Sequence, residues 1–274
     1  MKKILFILTT LMLLTGCSID IPFQSGKTFE KSNKKGNKNE EVEYAGRNEH
    51  VTLPAGTPSE LALKSSYFNT LKEVNGVQEI KNADNILALV NKDYGLPGKY
   101  EPIDLVRPDV PFSFGDEDIE KSYLRKEAAK ALEIMFSEAK KSDIHLFAVS
   151  GYRSYRRQEI ILNAEIAKVG EEKAIQAVAI PGKSEHQTGL AMDISSESAN
   201  LLLSEEFEDT AEGQWLKAHA HEYGFILRYP KGKEKITGYQ YEPWHFRYVG
   251  IKAANIIYKK DWTLEEFFDE VKKI

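Results

Sequence analysis

With 274 residues, 42% hydrophobic and 29% charged, the chain has material for one sizeable core and is short for two. Its formal net charge of −5 offers no basic surface for nucleic acid. A single cysteine, Cys17, excludes an internal disulfide and leaves the rest of the chain without a thiol nucleophile.

Met1-Lys2-Lys3 is a charged start, and residues 4–14 form an apolar run too short to span a bilayer as a stable helix. Leu14-Thr15-Gly16-Cys17 then resembles a bacterial lipobox, which implies a signal peptide over residues 1–16 and a lipid on Cys17. Residues 18–50 are rich in Lys, Asn, Glu, Gly and Ser, and hold six basic and six acidic residues. Such a segment cannot bury enough surface to offset its ordering entropy, so residues 17–60 are expected to be a flexible tether rather than a polybasic patch. Residues 51–66, with Pro54 and Pro58, read as its continuation or as an arm on the following domain, taken as residues 61–274.

Within that domain, residues 82–93 read as a short helix or strand and 97–111 as an irregular wrap. Leu124, Ala128, Ala131, Leu132, Met135, Phe136 and Ala139 recur at helical spacing, which predicts an amphipathic helix over 122–141. A strand follows over 144–149. Ser154 can cap the next helix, which should carry Ile160, Ile161 and Ala164 inward and stop near Gly170. A helix over 213–223, a strand over 225–229, a turn at 231–233 and helices over 250–260 and 263–272 complete the chain. Thr263 and Glu266 are placed as a capping box. Helices and strands do not alternate as crossover units, so the expected class is α+β.

Two stretches carry the chemistry: Ser184-Glu185-His186-Gln187-Thr188-Gly189-Leu190-Ala191-Met192-Asp193 and Tyr241-Glu242-Pro243-Trp244-His245-Phe246-Arg247. His186 and Asp193 are too far apart for adjacent turns of one helix. Gly189 and the apolar run after it predict a loop feeding a strand, with Asp193 pointing inward. His245 lies in an aromatic and β-branched run that reads as a second strand. Adjacent strands can set such residues on one sheet face. Two imidazoles and a carboxylate suit Zn²⁺ and leave a fourth position open. Glu242 would then be the unligated carboxylate that a general base must be. Taken singly, the three residues read as an ordinary loop residue, a turn-former and a half-buried ring. Taken together they point to a zinc hydrolase, with a structural zinc site or no metal left open by spacing. Among the other histidines, His50 lies in the tether and His145 starts a strand, where a partly buried ring is expected. His219 and His221 are two apart on a helix and so point to different faces.

The two stretches resemble the signatures of VanY-type D-alanyl-D-alanine carboxypeptidases and their LdcB-type L,D-carboxypeptidase relatives, within the larger group of lysostaphin-type and hedgehog-domain zinc peptidases. The likeness extends to Ser150-Gly151-Tyr152-Arg153-Ser154 with Gln158, and to Leu89-Val90-Asn91-Lys92 with Leu96-Pro97 and Tyr100, about residues 80 to 250 in all. It implies a small, mainly antiparallel sheet flanked by helices, with zinc on the open face held by His186, Asp193 and His245. It implies Glu242 as base, Arg153 pairing the substrate's terminal carboxylate, and Ser184 and Gln158 helping to hold it. Tyr229 and Trp244 are candidate pocket walls, although aromatic residues on strands are more often core.

The substrate implied is a peptidoglycan stem peptide losing its C-terminal D-alanine, with either a D,D or an L,D bond cut. The expected setting is a monomer, lipid-anchored through Cys17 on the outer face of the cell membrane. The alternatives are a peptidoglycan-binding lipoprotein with a structural zinc, which would have no use for Glu242, and an endopeptidase of cross-links, which would have no use for a carboxylate clamp.

Overall fold

The computed structural model describes residues 59–274. Cys17, His50 and the tether up to residue 58 lie outside the described residues. The arm does lie on the domain from residue 59 onward: strand β1 (Ala62–Leu63) pairs in parallel with the last strand, β11 (Lys272–Lys273).

Strands β2 (Leu71–Val74) and β3 (Val77–Ile80) form a hairpin around Asn75 and Gly76, both at positive φ. This is the two-residue turn that matches strand twist. Strand β4 (Tyr94–Gly95) joins β3 in parallel. Between them, residues 82–93 form neither the expected helix nor a strand. Leu87, Ala88, Leu89 and Val90 are all buried, so the run has no exposed face to give it a period. Asparagine side chains meet the backbone instead: Asn82 donates to the Phe68 carbonyl at 2.9 Å and Asn85 to that of Tyr67 at 2.7 Å. The wrap over 97–111 is irregular except for β5 (Leu105–Val106), which pairs with β6 (Leu124–Arg125).

Helix α1 (Lys126–Lys141) starts four residues later than the apolar spacing predicts, because Ser122–Arg125 are used by a turn and by β6. It buries Ala128, Ala129, Leu132, Met135, Phe136 and Ala139. Strand β7 (Phe147–Ser150) follows, with His145 exposed before it rather than partly buried, its side chain 59% accessible. Helix α2 (Tyr155–Val169) is capped by Ser154, whose hydroxyl accepts from the Arg157 N–H, and stops at Gly170. Its inward face carries Gln158 and Leu162, and Ile160 and Ala164 are exposed. The inward position next to the cleft is given to a polar side chain, so the buried face of the helix is turned away from the one the apolar residues mark. Helix α3 (Glu171–Ala177) leads to strand β8 (Ala191–Ser195).

Helix α4 (Ala211–His219), capped by Thr210, passes through a tight turn to Gly224 and strand β9 (Phe225–Leu227). A short helix α5 (Glu234–Thr237) precedes strand β10 (His245–Tyr248). Helices α6 (Ile251–Lys260) and α7 (Leu264–Glu270) close the fold, α7 with the Thr263–Glu266 capping box. The last helix ends before Lys272, whose strand pairing with β1 takes the chain away.

The central sheet has the order β7-β8-β10-β9, with every neighbour antiparallel. Alternation along β8 and β10 sends Met192, Ile194, Phe246 and Tyr248 into the core that α1 covers. Asp193, His245 and Arg247 therefore project from the other face. The class is the expected α+β.

Candidate active site

Strands β8 and β10 register His245 directly opposite Asp193. Near-neighbour Cβ atoms of such a pair put both side chains on one patch. His186 arrives from the tight turn Glu185–Thr188 that feeds β8 through Gly189. Gly189 sits at φ 65°, in the left-handed region, and a Cβ there would press on Leu105 Cδ2 at 2.8 Å, so this connection favours glycine. Arg153 comes from the short connection between β7 and α2. A register shift between Ala148 and Ser150 inserts one extra residue and sets Ser150 opposite Asp193. Bulges of this kind re-aim side chains beside sites.

His186, Asp193 and His245 are buried, and their ligand-type atoms all lie within 4.8 Å of one another. The Nδ1 of His186 is 2.7 Å from the Gly151 carbonyl, which fixes that nitrogen as the donor and leaves Nε2 free, 3.3 Å from Asp193 Oδ2. The Nδ1 of His245 lies 3.0 Å from Asp193 Oδ1. Burial depresses the His186 pKa, helped by Arg153 and against the charge of Asp193, which favours the neutral ring that a metal ligand needs. Burial works against the Asp193 charge too, yet the two imidazoles hold its carboxyl well below the usual range. For His245, burial is outweighed by the hydrogen bond with Asp193 and by the nearby Glu185 and Glu242 carboxylates, which hold it up at about 9, so a metal bound there would displace a proton. Two nitrogens and one carboxylate oxygen, converging and otherwise short of partners, fit the donor set of a zinc site with an open position.

Glu242 is three residues before His245, with its Oε2 3.7 Å from His245 Nδ1. Its backbone N–H donates to the Tyr229 carbonyl, which extends the β9–β10 pairing past the formal strands. Burial, with the Asp193 charge and against His245 and Arg153, pushes the Glu242 carboxyl up to about 7. A carboxyl with that value both accepts and returns a proton near neutral pH.

Arg153 donates to Gln158 Oε1 at 2.9 Å and to Ser150 Oγ at 3.2 Å, and its Nη2 is 4.0 Å from Asp193 Oδ2. Gln158 is anchored in turn by donating to the Ala179 carbonyl at 2.7 Å. The structure gathers Arg153, Gln158, Ser184, Tyr229, Trp244 and Glu242 around one cleft of about 170 Å³ that also exposes the three ligand-type residues. Tyr229 and Trp244 line that cleft instead of lying wholly in the core. The Tyr229 ring packs 4.9 Å from that of His245 and 4.8 Å from that of Tyr239.

Sequence reasoning passed over Glu185, Arg228, Arg247 and Glu265, a charged group buried behind His245. Arg247 closes the second signature and Glu185 sits inside the first, but nothing in their spacing distinguishes buried charges from surface ones. Burial opposes the Glu185 charge, and Arg228 and Arg247 nevertheless hold its carboxyl far below the usual range.

A converging His-Asp-His set with a free carboxylate alongside, on an antiparallel sheet, defines the class as a mononuclear zinc hydrolase. The family model described as VanY, D-alanyl-D-alanine carboxypeptidase, matches residues 121–251. YodJ of Bacillus subtilis (strain 168) is 61% identical over 216 residues, covering 79% of each chain. The bifunctional D-Ala-D-Ala dipeptidase and D-Ala-D-Ala carboxypeptidase VanXYC of Enterococcus gallinarum is 40% identical over 188 residues, 68% of this chain and 94% of that one. Among solved structures, the LdcB LD-carboxypeptidase shares 61% identity at a TM-score of 0.76, covering 78% of this chain and all of its own. A mutant of the D,D-pentapeptidase VanY in complex with Zn(II) shares 32% identity at a TM-score of 0.55, covering 66% and 98%. The chain belongs to the VanY family of D-alanyl-D-alanine carboxypeptidases.

Proposed function

We propose that this protein is a zinc carboxypeptidase that removes the C-terminal D-alanine from peptidoglycan stem peptides, and that the L,D bond of the tetrapeptide is its preferred target. The observation that carries the reading is one cleft holding the buried His186-Asp193-His245 set, Glu242 and Arg153 together. The preference for the L,D bond is supported by the closer likeness to LdcB than to the VanY mutant, 61% against 32% identity.

His186, Asp193 and His245 would hold the metal, which when bound supplies Lewis acidity toward the scissile carbonyl and toward water. Glu242 takes the proton of the attacking water and returns it to the leaving amine of D-alanine. Arg153 pairs the free carboxylate of the substrate, a planar match between guanidinium and carboxylate. Gln158 and Ser150 hold that guanidinium in place, and Ser184, Tyr229 and Trp244 shape the pocket around the terminal residue. A clamp for a free carboxylate suits an exopeptidase rather than an endopeptidase of cross-links.

The proposal extends to the setting. The lipobox-like residues 14–17 support a lipid on Cys17 and a place on the outer face of the cell membrane. A coil-like tether of residues 17–60 would reach roughly 30–40 Å, enough for nearby wall. The test is incubation with defined tetrapeptide and pentapeptide stems and mass spectrometry of the products. Faster loss of one D-alanine from the tetrapeptide is expected. Cleavage of the pentapeptide alone would reverse the L,D assignment.

A further inference from the structure

Behind the His-Asp-His set lies a buried group of charges that the mechanism above does not use. The side chains of Glu185, Arg228 and Arg247 have no exposure at all. Glu185 Oε1 accepts from Arg228 Nε at 2.8 Å and from Arg247 Nη1 at 2.7 Å. Arg228 also forks onto Glu265 with bonds of 2.9 and 2.7 Å, and Arg247 donates to the carbonyls of Ile86 and Ala88 at 2.9 and 3.0 Å. The other Glu185 oxygen, Oε2, and the Nε2 of His245 are both buried without a hydrogen-bond partner among the described residues. They face each other across 3.5 Å.

A bare oxygen on an ionised, buried carboxylate is costly, and so is a bare ring nitrogen. A small closure of that gap satisfies both. It also decides which way the imidazole presents itself. With the proton on Nε2 and donated to Glu185, the lone pair sits on Nδ1, the nitrogen already 3.0 Å from Asp193 Oδ1. His186 uses the opposite arrangement, with Nδ1 donating to the Gly151 carbonyl and Nε2 toward Asp193.

We propose that Glu185 is a positioning residue for His245, accepting its Nε2–H and so fixing the ring and tautomer that present Nδ1 to the metal. This rests on the zinc reading above. Arg228 and Arg247 saturate the far oxygen of Glu185 and lock its direction, and Glu265 anchors Arg228 from α7. An outer-shell carboxylate of this kind sets ligand orientation and basicity.

The test uses protein stripped of metal and titrated with Zn²⁺ in competition with a chromophoric chelator. Glu185→Gln should bind zinc about 10- to 100-fold more weakly than wild type, the range for losing an outer-shell partner. Glu265→Gln removes a member of the same buried group that does not reach His245. It should lower Tm and leave zinc affinity unchanged. Equal loss of affinity in both variants would mean that only packing was disturbed, and would overturn the positioning role. So would wild-type affinity in Glu185→Gln. Nitrogen-15 histidine NMR of the zinc-loaded wild type needs no variant, and so decides the matter even where Glu185→Gln fails to fold. The expected spectrum has His245 protonated at Nε2 and coordinated at Nδ1; coordination through Nε2 would overturn the proposal. Wild-type protein that takes up no zinc would sink the zinc reading itself, an outcome separate from all of these.

Discussion

Replacing Arg153 by Met tests whether the cleft recognises a free carboxylate. The guanidinium is held by Gln158 Oε1 at 2.9 Å and Ser150 Oγ at 3.2 Å, and its side chain is 20% exposed at the cleft. Hydrogen bonds to charged groups contribute about 1.5–3 kcal/mol, so loss of the clamp should lower kcat/KM about 10- to 150-fold. A terminal carboxylate takes no part in bond breaking, so ground state and transition state lose the contact alike. The loss should therefore fall mainly on KM. The assay is steady-state release of D-alanine from a tetrapeptide stem, set beside release of D-alanine amide from the same stem with an amidated C-terminus. Wild type should discriminate against the amide by the same 10- to 150-fold, and Arg153→Met should not discriminate at all. Because Arg153 Nη2 lies 4.0 Å from Asp193, zinc content must first be shown to match wild type. Equal losses on acid and amide would refute the carboxylate clamp.

The three ligand-type residues are buried and close, so His186→Ala, Asp193→Ala and His245→Ala should each lose zinc by elemental analysis, and full occupancy in Asp193→Ala would remove that residue from the set. Chelation should abolish activity, Zn²⁺ should restore it, and the metal-free protein should melt at lower temperature, because a ligand bound only to the folded state stabilises it. The pH profile follows from Glu242, which works only when deprotonated. Its carboxyl stands at about 7 chiefly through burial, and a cation beside it favours the charged form. Hence kcat/KM should fall as the pH drops through an acid limb at or below about 7, and that limb should disappear in Glu242→Gln. Cys17→Ser should release the protein from membranes or leave its signal uncleaved; a processed, membrane-bound variant would contradict the lipobox.

Much of the cleft was legible because its residues sit in two short, dense stretches. A strand period marks the inward face at Asp193 and at His245, their pairing then follows once β8 and β10 are neighbours, and the glycine after Thr188 announces the turn that delivers His186. The α1 core was legible for the same reason, a long amphipathic run. Residues 82–93 were not, since an apolar segment buried on all sides shows no period and its backbone is satisfied by distant asparagines. The Asn75-Gly76 hairpin could have been read from that dipeptide alone. Ile160 was misplaced because the inward position of α2 belongs to Gln158, a polar residue kept inside to hold Arg153. Buried charges are the deepest gap: Glu185, Arg228, Arg247 and Glu265 look like surface residues until the fold closes around them.

The most direct test of the enzymatic reading is Glu242→Gln beside wild type on defined tetrapeptide and pentapeptide stems, with zinc content and peptide binding measured on the same samples. The substitution keeps size and hydrogen bonding and removes the proton acceptor. The variant should fold, hold zinc and bind the stem, while D-alanine release falls about 10²–10⁴-fold. Full activity in Glu242→Gln would strip that residue of its role as base, and a wild type that releases no D-alanine from either stem would contradict the carboxypeptidase account itself.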